Sequence, residues 1–324
     1  MKLLRGTFVG LFFVFFAGCT AQKILLGTKG QYLLTTRDNL VLPGEPVTLI
    51  ARVQSGDMLK SQVGCVVRFY RDGRLYRVTE TNQDGQALVC FQSEQPGDIQ
   101  FQVVVSPVGL HDVAPAPQTL RVSCRNPDTP MVIVDLDKTI VASGFHTVLL
   151  GDPEPAEHSQ QVLHRLAQTH TIVYLTHRPD YFSAKTKIWI ENNGFPPGPV
   201  LLSTMRGFLK GSKAFKSERI AELRRCFTRL KIGIGDKFSD VLAYHKNQLK
   251  AFLLVQFPNS SDRKDWEMLL HNLESLPAEI QAVRNWSQIN TALFQQVSFP
   301  PVDMTEFVKE KIRTLPHVNK GPSK

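Results

Sequence analysis

The sequence predicts two folded domains, a β-sandwich followed by an α/β domain with a parallel sheet. The chain has 324 residues, of which 42% are hydrophobic and 21% charged, so it is a globular protein with enough residues for two cores. Between residues 31 and 124, short alternating runs are separated by turn signals, which is typical of an all-β domain. After residue 130, short apolar runs alternate with amphipathic helical patterns, which indicates parallel strands joined by crossover helices.

The first nineteen residues have the pattern of an export signal. Lys2 and Arg5 form a positive start, residues 8–16 are an apolar run too short to span a membrane, and the segment ends in Ala-Gly-Cys. This ending resembles the lipidation box of bacterial lipoproteins. We therefore expect residues 1–18 to be a lipoprotein-type signal peptide and Cys19 to be lipidated. The protein would then be an exported, membrane-anchored lipoprotein facing the periplasm or the cell exterior. The alternatives are cleavage nearby without lipidation, or an uncleaved anchor.

The net charge favours anionic partners over nucleic acid. The chain carries a formal charge of +9, and loss of Lys2 and Arg5 with the signal peptide leaves 36 basic residues against 29 acidic ones, or +7. This excess favours a phosphorylated substrate or an acidic membrane surface, although a solvated surface rich in lysine explains it as well. No basic stripe is interleaved with aromatic residues, which argues against nucleic-acid binding. No other apolar stretch approaches the length of a transmembrane helix.

The first domain is predicted over residues 25–124. Alternating runs bounded by turn signals predict strands at 46–53, 65–70, 86–91 and 99–105. The run Arg71-Asp72-Gly73-Arg74 predicts a hairpin turn. Strands of this length and spacing are typical of an immunoglobulin-like β-sandwich. The domain offers no catalytic constellation, so we interpret it as a spacer or interaction module whose protein partner is unknown.

Export would make disulfide bonds possible. Cys65, Cys90 and Cys124 all lie in the first domain, and any two of them could pair. Cys226 lies in a helical pattern in the second half and is better explained as a buried apolar residue than as a nucleophile. The sequence has no Cys-x-x-Cys pair and no Cys/His cluster, which argues against a zinc site.

The second domain is predicted over residues 130–290, after a linker at 125–130. Apolar runs predict strands at 131–134, 171–175, 200–202, 231–234 and 251–256. Amphipathic patterns predict helices at 158–168, 183–193, 216–227 and 239–247. From Val302 onward the chain is rich in lysine, and we expect residues 302–324 to form a loosely held basic tail.

Two acidic side chains follow the first strand of this domain. Asp135 and Asp137 leave the carboxyl end of the strand at 131–134, which is where ligands bind in doubly wound sheets. Two carboxylates this close repel each other and cost desolvation energy. Around a hard dication such as Mg²⁺ they become suitable ligands, because Mg²⁺ prefers oxygen donors.

Further polar residues follow the later strands. Asp236 stands at the end of the strand at 231–234, directly after Gly235, which we expect to permit a sharp exit. Asp240 lies one helical turn farther on. Two more residues lie between the acidic groups: Thr176 directly follows a strand, and Lys216 opens a predicted helix. Lys213 is a rival for the position of Lys216.

The order of these residues resembles the motifs of the haloacid-dehalogenase superfamily. Those motifs are Asp-x-Asp-x-Thr, a Thr or Ser after a strand, a Lys, and Gly-Asp-x-x-x-Asp. In this chain they read Asp135/Asp137/Thr139, Thr176, Lys216 and Gly235/Asp236/Asp240. The resemblance implies a Rossmann-like haloacid-dehalogenase domain with a parallel sheet. It also implies a Mg²⁺-dependent phosphatase that hydrolyses phosphomonoesters.

The resemblance assigns a role to each motif residue. Asp135 is implied to be the nucleophile that forms an aspartyl phosphate, and Asp137 to be the general acid and then the general base. Thr176 is implied to donate a hydrogen bond to the phosphoryl oxygens, and Lys216 to neutralise their charge together with Asp135. The implied Mg²⁺ ligands are Asp135, the backbone carbonyl of Asp137 and Asp236, with Asp240 as outer support.

A finer resemblance covers about residues 132–244. The run Thr176-His177-Arg178-Pro179-Asp180, followed by Trp189 and by Asn193-Gly194-Phe195-Pro196, is similar to the lipin-type C-terminal domain. That domain occurs in phosphatidate phosphatases and in membrane-associated phosphatidylinositol transfer proteins. The resemblance implies phosphatidate or a related lipid phosphate as substrate and a phospholipid surface as partner. The transfer proteins' version often lacks the nucleophilic aspartate, which this chain keeps.

Two features of the sequence indicate which kind of substrate binds. These features are Arg178 and the lack of a large cap domain. Arg178 could bind the phosphate or headgroup, or it could form an ion pair with Asp180 or end a helix. Between Thr139 and His158 there is room only for a short flap. The stretch between Thr176 and Lys216 is predicted to contain one helix and one strand. An open site favours a large or membrane-embedded substrate, because a small metabolite needs a lid. The alternatives are a non-catalytic phospholipid-binding module and a phosphatase for soluble phosphomonoesters.

Overall fold

A computed structural model describes residues 32–55, 59–106, 114–143 and 153–315, without the side chains of Met205, Arg206 and Lys210. The predicted signal peptide, Cys19 and the last nine residues of the chain lie outside these ranges. The described residues fall into two compact units. One unit contains the residues up to Arg125 together with Pro179–Trp189, and the other contains the remainder.

The first unit is built on an immunoglobulin-like β-sandwich, as predicted. Its described strands are β1 (Tyr32–Thr36), β2 (Asn39–Val41), β3 (Val47–Ser55), β4 (Val66–Arg71), β5 (Arg74–Glu80), β6 (Gln86–Phe91), β7 (Gly97–Ser106) and β8 (Gln118–Cys124). One sheet has the order β1-β3-β6 and the other β2-β8-β7-β4-β5. The short β2 runs parallel to β8, whereas β3–β6, β4–β7 and β7–β8 are antiparallel. The described strands β1 and β2 therefore join different sheets.

The sandwich core comes from alternate residues of both sheets. Phe91 of one sheet packs edge to face against Phe101 of the other, with ring centroids 5.1 Å apart. Cys65 and Cys124 are buried in this core, while Cys90 is exposed because it points away from the core between inward-facing neighbours on β6. Cys90, Cys124 and Cys226 are free thiols. Each possible pairing among Cys65, Cys90 and Cys124 involves Cys90 or Cys124, so none of these disulfide bonds is formed in the described part of the chain.

The second unit contains a six-stranded sheet with the order β11-β10-β9-β12-β13-β14. The strands are β9 (Met131–Val134), β10 (Thr171–Pro179), β11 (Val200–Ser203), β12 (Leu230–Gly235), β13 (Lys250–Leu254) and β14 (Gln281–Val283). The described helices after β9 are α1 (Ser159–Ala167), α2 (Ser183–Asn192), α3 (Met205–Lys210), α4 (Ser212–Cys226), α5 (Phe238–Lys246), α6 (Arg263–Glu274), α7 (Trp286–Phe294) and α8 (Pro301–Thr314). The pairings from β10 through β14 are parallel. The predicted α/β fold with a haloacid-dehalogenase-like parallel sheet is confirmed.

The strand order reverses beside β9. From β9 the chain continues outward to β10 and β11 on one side, and β12, β13 and β14 follow one another on the other. Strands β9 and β12 are therefore neighbours at the topological switch point, where doubly wound sheets bind their ligands. The backbone N–H of Asp135 donates to the carbonyl of Ile234 at 2.9 Å, which ties the two strand ends together.

Two boundary predictions are wrong. Residues 302–315 are not a loosely held tail, because α8 packs against α6 and β14 and buries Met304, Val308 and Ile312. These apolar residues recur every four positions, and the lysines between them lie on the outer face. The second domain consequently continues to Leu315 and does not end near residue 290. No described helix is long and apolar enough to cross a bilayer.

Candidate active site

Three buried carboxylates meet at the switch point. Asp135 follows β9, Asp236 follows β12, and Asp240 lies in the first turn of α5. One oxygen from each carboxylate lies within 4.8 Å of the other two, and the three residues are 2%, 7% and 0% exposed. A hard dication such as Mg²⁺ prefers carboxylate oxygens in this arrangement. The structure therefore brings together three of the four predicted metal-binding residues, without Asp137.

A glycine in β12 makes room for the helix that carries Asp240. A Cβ atom on Gly233 would lie 2.4 Å from Cγ of Tyr244 on α5, so only glycine lets this helix pack so closely. A Cβ on Gly235 would meet the Cβ of Asp240 at 3.4 Å, which is an ordinary van der Waals contact. Gly235 also has no positive φ, so the sharp exit that the sequence suggested does not require glycine here.

Lys216 lies between two of the carboxylates. Its Nζ is 2.8 Å from Oδ1 of Asp135 and 2.5 Å from Oδ2 of Asp240, and its side chain is 1% exposed. Burial alone would lower the pKa of Lys216, but the charges of Asp135 and Asp240 outweigh it and raise the pKa above its ordinary value. The rival Lys213 is exposed. Lys216 lies one turn inside α4, however, and not at the helix start as expected.

One buried carboxylate oxygen of Asp236 lacks a partner among the described residues. Its Oδ1 is buried and accepts no hydrogen bond from the described residues. Burial, reinforced by the charge of Asp135, raises the pKa of Asp236 to about 7. Among the described residues, Lys216 is the one cation that forms an ion pair with the cluster, so full ionisation of the three carboxylates would leave two negative charges uncompensated. The donor atoms and the charge both fit a divalent cation.

Asp137 faces away from this cluster towards Arg178. Its two oxygens accept hydrogen bonds from Nε and Nη2 of Arg178 at 3.1 and 2.6 Å. The side chain of Arg178 is 1% exposed and that of Asp137 is 17% exposed. The alternative pair between Arg178 and Asp180 does not form, because Asp180 is bound by Arg37 within the first unit.

Thr176 lies within β10, which continues to Pro179 beyond the last residue paired with β9. Its Oγ1 accepts the backbone N–H of Arg178 at 3.2 Å, so the hydroxyl hydrogen remains available for another acceptor. The residue is 1% exposed. Thr176 therefore lies on β10, the neighbour of the strand β9 that Asp135 follows.

The loop that follows Asp135 is tightly wound. The carbonyl of Leu136 accepts the backbone N–H groups of Thr139, Ile140 and Val141 at 3.0 to 3.1 Å. Lys138 adopts a left-handed conformation with φ of 56°. Val141 also forms an isolated antiparallel bridge with Pro155, which lies shortly before α1. Between Thr176 and Lys216 the described elements are α2, β11 and α3, with no separate cap domain in this stretch.

Two residues near the site were given no role from the sequence. His177 has a buried Nε2 without a hydrogen-bond partner among the described residues, and its ring stacks on Phe208 at 4.8 Å. Burial lowers the pKa of His177. Trp286 donates its indole N–H to the carbonyl of Thr139 at 2.8 Å across 147 positions of sequence. A contact this distant in the chain leaves no local pattern to recognise.

Residues 132–252 match the family model described as "PITM 1-3, LNS2 domain". The match covers less than half of the chain and contains Asp135, Asp137, Thr176, Lys216, Asp236 and Asp240. It supports the lipin-type resemblance predicted for this part of the chain. No curated protein sequence matches.

Solved structures give weaker likenesses. The D00-D0 domain of intimin is 18% identical and covers 29% of this chain and 46% of its own, with a TM-score of 0.23. The CARDB domain of the Pyrococcus furiosus protein PF1109 is 16% identical, covering 30% of this chain and 97% of its own, with a TM-score of 0.22. The titin M3 domain is 8% identical, with coverages of 29% and 97% and a TM-score of 0.23. The chain spans less than half of the intimin fragment, and the sandwich assignment rests on the strand order described above.

Proposed function

We propose that this protein is a Mg²⁺-dependent phosphomonoester hydrolase that acts on phosphatidate or a related lipid phosphate. The observation that carries the proposal is the cluster of Asp135, Asp236 and Asp240 around Lys216 at the switch point of the sheet. Three buried carboxylates with one ammonium group are costly as structure alone. They become favourable when the site holds a dication and a phosphoryl group.

In this proposal Asp135 is the nucleophile. One of its oxygens attacks phosphorus, the bond to the leaving oxygen breaks, and the phosphoryl group is carried as an aspartyl phosphate. Lys216, already 2.8 Å from Asp135, neutralises the phosphoryl charge, and Thr176 donates its hydroxyl hydrogen to a phosphoryl oxygen. A Mg²⁺ ion held by Asp135, the carbonyl of Asp137 and Asp236 would reduce the repulsion between the carboxylate and the anionic phosphate.

Asp137 completes the reaction. It protonates the leaving alkoxide in the first step and removes a proton from the attacking water in the second, which releases phosphate and restores Asp135. This role requires one oxygen of Asp137 to leave Arg178 during turnover, because both oxygens accept hydrogen bonds from Arg178. Asp240 supports the site by holding Lys216 at 2.5 Å.

The proposed lipid substrate is supported by three features. The described connections around the site include no cap domain, so a membrane-embedded phosphate can approach. Residues 132–252 match the LNS2 domain. The positive charge of the chain favours an anionic bilayer. We infer that the protein works at a membrane, held there by a lipid on Cys19 on the exported side.

A non-catalytic phospholipid-binding module is the second candidate. The hydrogen bonds from Arg178 to both oxygens of Asp137 favour it, because a general acid held in this way serves turnover poorly. In such a module Lys216 and Thr176 would bind the phosphate, and Asp236 would hold the cation, without cleavage.

A substrate panel separates these functions. Phosphatidate and lysophosphatidate in mixed micelles, a nucleotide, a sugar phosphate and p-nitrophenyl phosphate would be assayed with and without Mg²⁺. We expect phosphatidate to give the highest kcat/KM, a rate that falls on surface dilution, and no turnover in EDTA. Better turnover of a soluble phosphate would reject the lipid substrate. Binding to phosphatidate vesicles without turnover of any substrate would favour the binding module.

A further inference from the structure

Two side chains from the C-terminal part of the second domain hold the loop that follows Asp135. Trp286, at the start of α7, donates its indole N–H to the carbonyl of Thr139 at 2.8 Å. Gln256, just after β13, donates from Nε2 to the carbonyl of Lys138 at 3.1 Å. Two consecutive carbonyls of one tight loop are therefore bound from the same part of the chain.

Both donors lie beyond the region that matches the LNS2 family model. The family match ends at residue 252, before Gln256 and Trp286. Strand β14 and helices α6, α7 and α8 all follow that point. Trp286 is 1% exposed, so its side chain is packed in the protein interior where its indole contacts the loop.

The loop needs such support because its conformation is costly. Lys138 has a positive φ, which is unfavourable for a residue with a side chain. Thr139 is fully buried, and a buried carbonyl without a partner would lose its hydrogen bonds to water without replacement. Within the loop, the three N–H groups of residues 139–141 all converge on Leu136, so they do not satisfy the carbonyls of Lys138 and Thr139.

The position of Asp137 depends on this loop. Asp137 lies directly before the two anchored carbonyls, between Asp135 at the strand end and Lys138 in the left-handed conformation. Asp135 is held by Lys216 and by its backbone bond to Ile234. Anchoring the carbonyls of Lys138 and Thr139 fixes the other end of the short segment, and so fixes where Asp137 points.

We propose that Trp286 and Gln256 are positioning residues that hold the loop of residues 136–139 so that Asp137 is aimed at the phosphate site. The segment after residue 252 is then part of the catalytic unit and not an independent appendage. The expected effect on kcat rests on the proposed function, whereas the expected effect on hydrogen exchange does not.

The test replaces each donor in the full-length protein. Trp286→Phe keeps an aromatic ring but removes the N–H, and Gln256→Leu removes a donor at an exposed position. Trp266→Phe is a matched control, because buried Trp266 on α6 donates its indole N–H to Ser260 at 3.1 Å, away from the loop. Gln295→Leu changes another exposed glutamine in the same region.

Hydrogen exchange of the backbone amides of Thr139, Ile140 and Val141 is the first measurement, and kcat and KM are the second. We expect Trp286→Phe and Gln256→Leu to exchange these amides about tenfold faster and to lower kcat about tenfold with KM unchanged. The two control variants should match the wild type in both measurements.

The outcomes separate the proposal from the proposed function. Unchanged exchange at residues 139–141 in Gln256→Leu and Trp286→Phe would overturn the proposal, as would faster exchange with unchanged kcat in an active enzyme. If Trp286→Phe fails to fold, Gln256→Leu decides, because its side chain is exposed. If the wild type turns over no substrate, the proposed function fails and the exchange result alone decides whether the loop is anchored.

Discussion

Arg178 binds both carboxylate oxygens of Asp137, with Nε 3.1 Å from Oδ2 and Nη2 2.6 Å from Oδ1. This paired geometry is the strongest that a guanidinium makes with a carboxylate, and here it is largely removed from solvent. The general acid of the proposed reaction is thus oriented by a residue of the neighbouring strand. Turnover requires that one of these hydrogen bonds be given up to the substrate.

Arg178→Gln should slow hydrolysis of a lipid phosphate more than that of p-nitrophenyl phosphate. An alkoxide leaves poorly without a proton, so loss of the orientation of Asp137 costs about tenfold to a hundredfold in kcat with phosphatidate. A p-nitrophenolate leaves readily, so its kcat should fall much less.

Parallel kcat/KM measurements of both substrates check this prediction. Arg37→Gln is the matched control, since Arg37 holds Asp180 through the same two types of nitrogen, and its ratio of the two rates should stay at the wild-type value. Equal losses with both substrates in Arg178→Gln would indicate instead that Arg178 binds the phosphoryl group itself.

Asp135→Asn should abolish turnover while leaving the protein folded. The amide cannot form an aspartyl phosphate, and the substitution preserves shape at a buried position. We expect kcat to fall more than about a hundredfold. Steady-state rates and thermal melting check this, with the exposed Asp303→Asn as a control that should behave as the wild type. Residual turnover above about one hundredth of the wild-type rate would contradict a nucleophilic role.

The parts of the site next to strand ends could be predicted from sequence. Asp135, Thr176 and Asp236 are placed by the ends of apolar runs, and parallel strands bring such ends to one edge of the sheet. The predicted helices and strands of the second domain are present, with ends that differ by at most four residues. Lys216 forms ion pairs with Asp135 and Asp240, although the helix that carries it begins earlier than predicted, at Ser212.

Other features depend on packing between distant residues. The partner of Arg178 could not be predicted, because the choice between Asp137 and Asp180 depends on how β9 and β10 align. The indole contact of Trp286 joins positions 147 residues apart. Helix α8 was missed because its lysines dominate the composition, while its buried residues follow a helical spacing. The strands β1, β2 and β8 were not predicted individually.

Cys19→Ser should release the protein from the membrane fraction. The prediction rests on the short apolar segment that ends in Ala-Gly-Cys, since serine cannot receive a thioether-linked lipid. Fractionation of cells, followed by mass measurement of the N-terminus, checks it. Cys226→Ser, in the second domain, is the control and should remain in the membrane fraction. A Cys19→Ser protein that stays membrane-bound and uncleaved would identify the segment as an anchor.

Metal-free protein should lose stability as the pH rises, and Asp236 is the reason. Burial, then the charge of Asp135, raises its pKa from an ordinary value of 3.8 to about 7. A carboxyl group whose pKa is raised on folding stabilises the folded state fully below its unfolded pKa, and that contribution is lost as the pH rises through the folded pKa. In EDTA, the Tm of the wild type should therefore fall between about pH 4 and 7 more steeply than that of Asp236→Asn, which has no proton to lose there.

Mg²⁺ at pH 7 should raise the Tm of the wild type and have little effect on Asp236→Asn, because the cation supplies the partner that Oδ1 lacks. Parallel pH profiles for the two proteins would contradict the raised pKa, and an equal response to Mg²⁺ would remove Asp236 from the metal site.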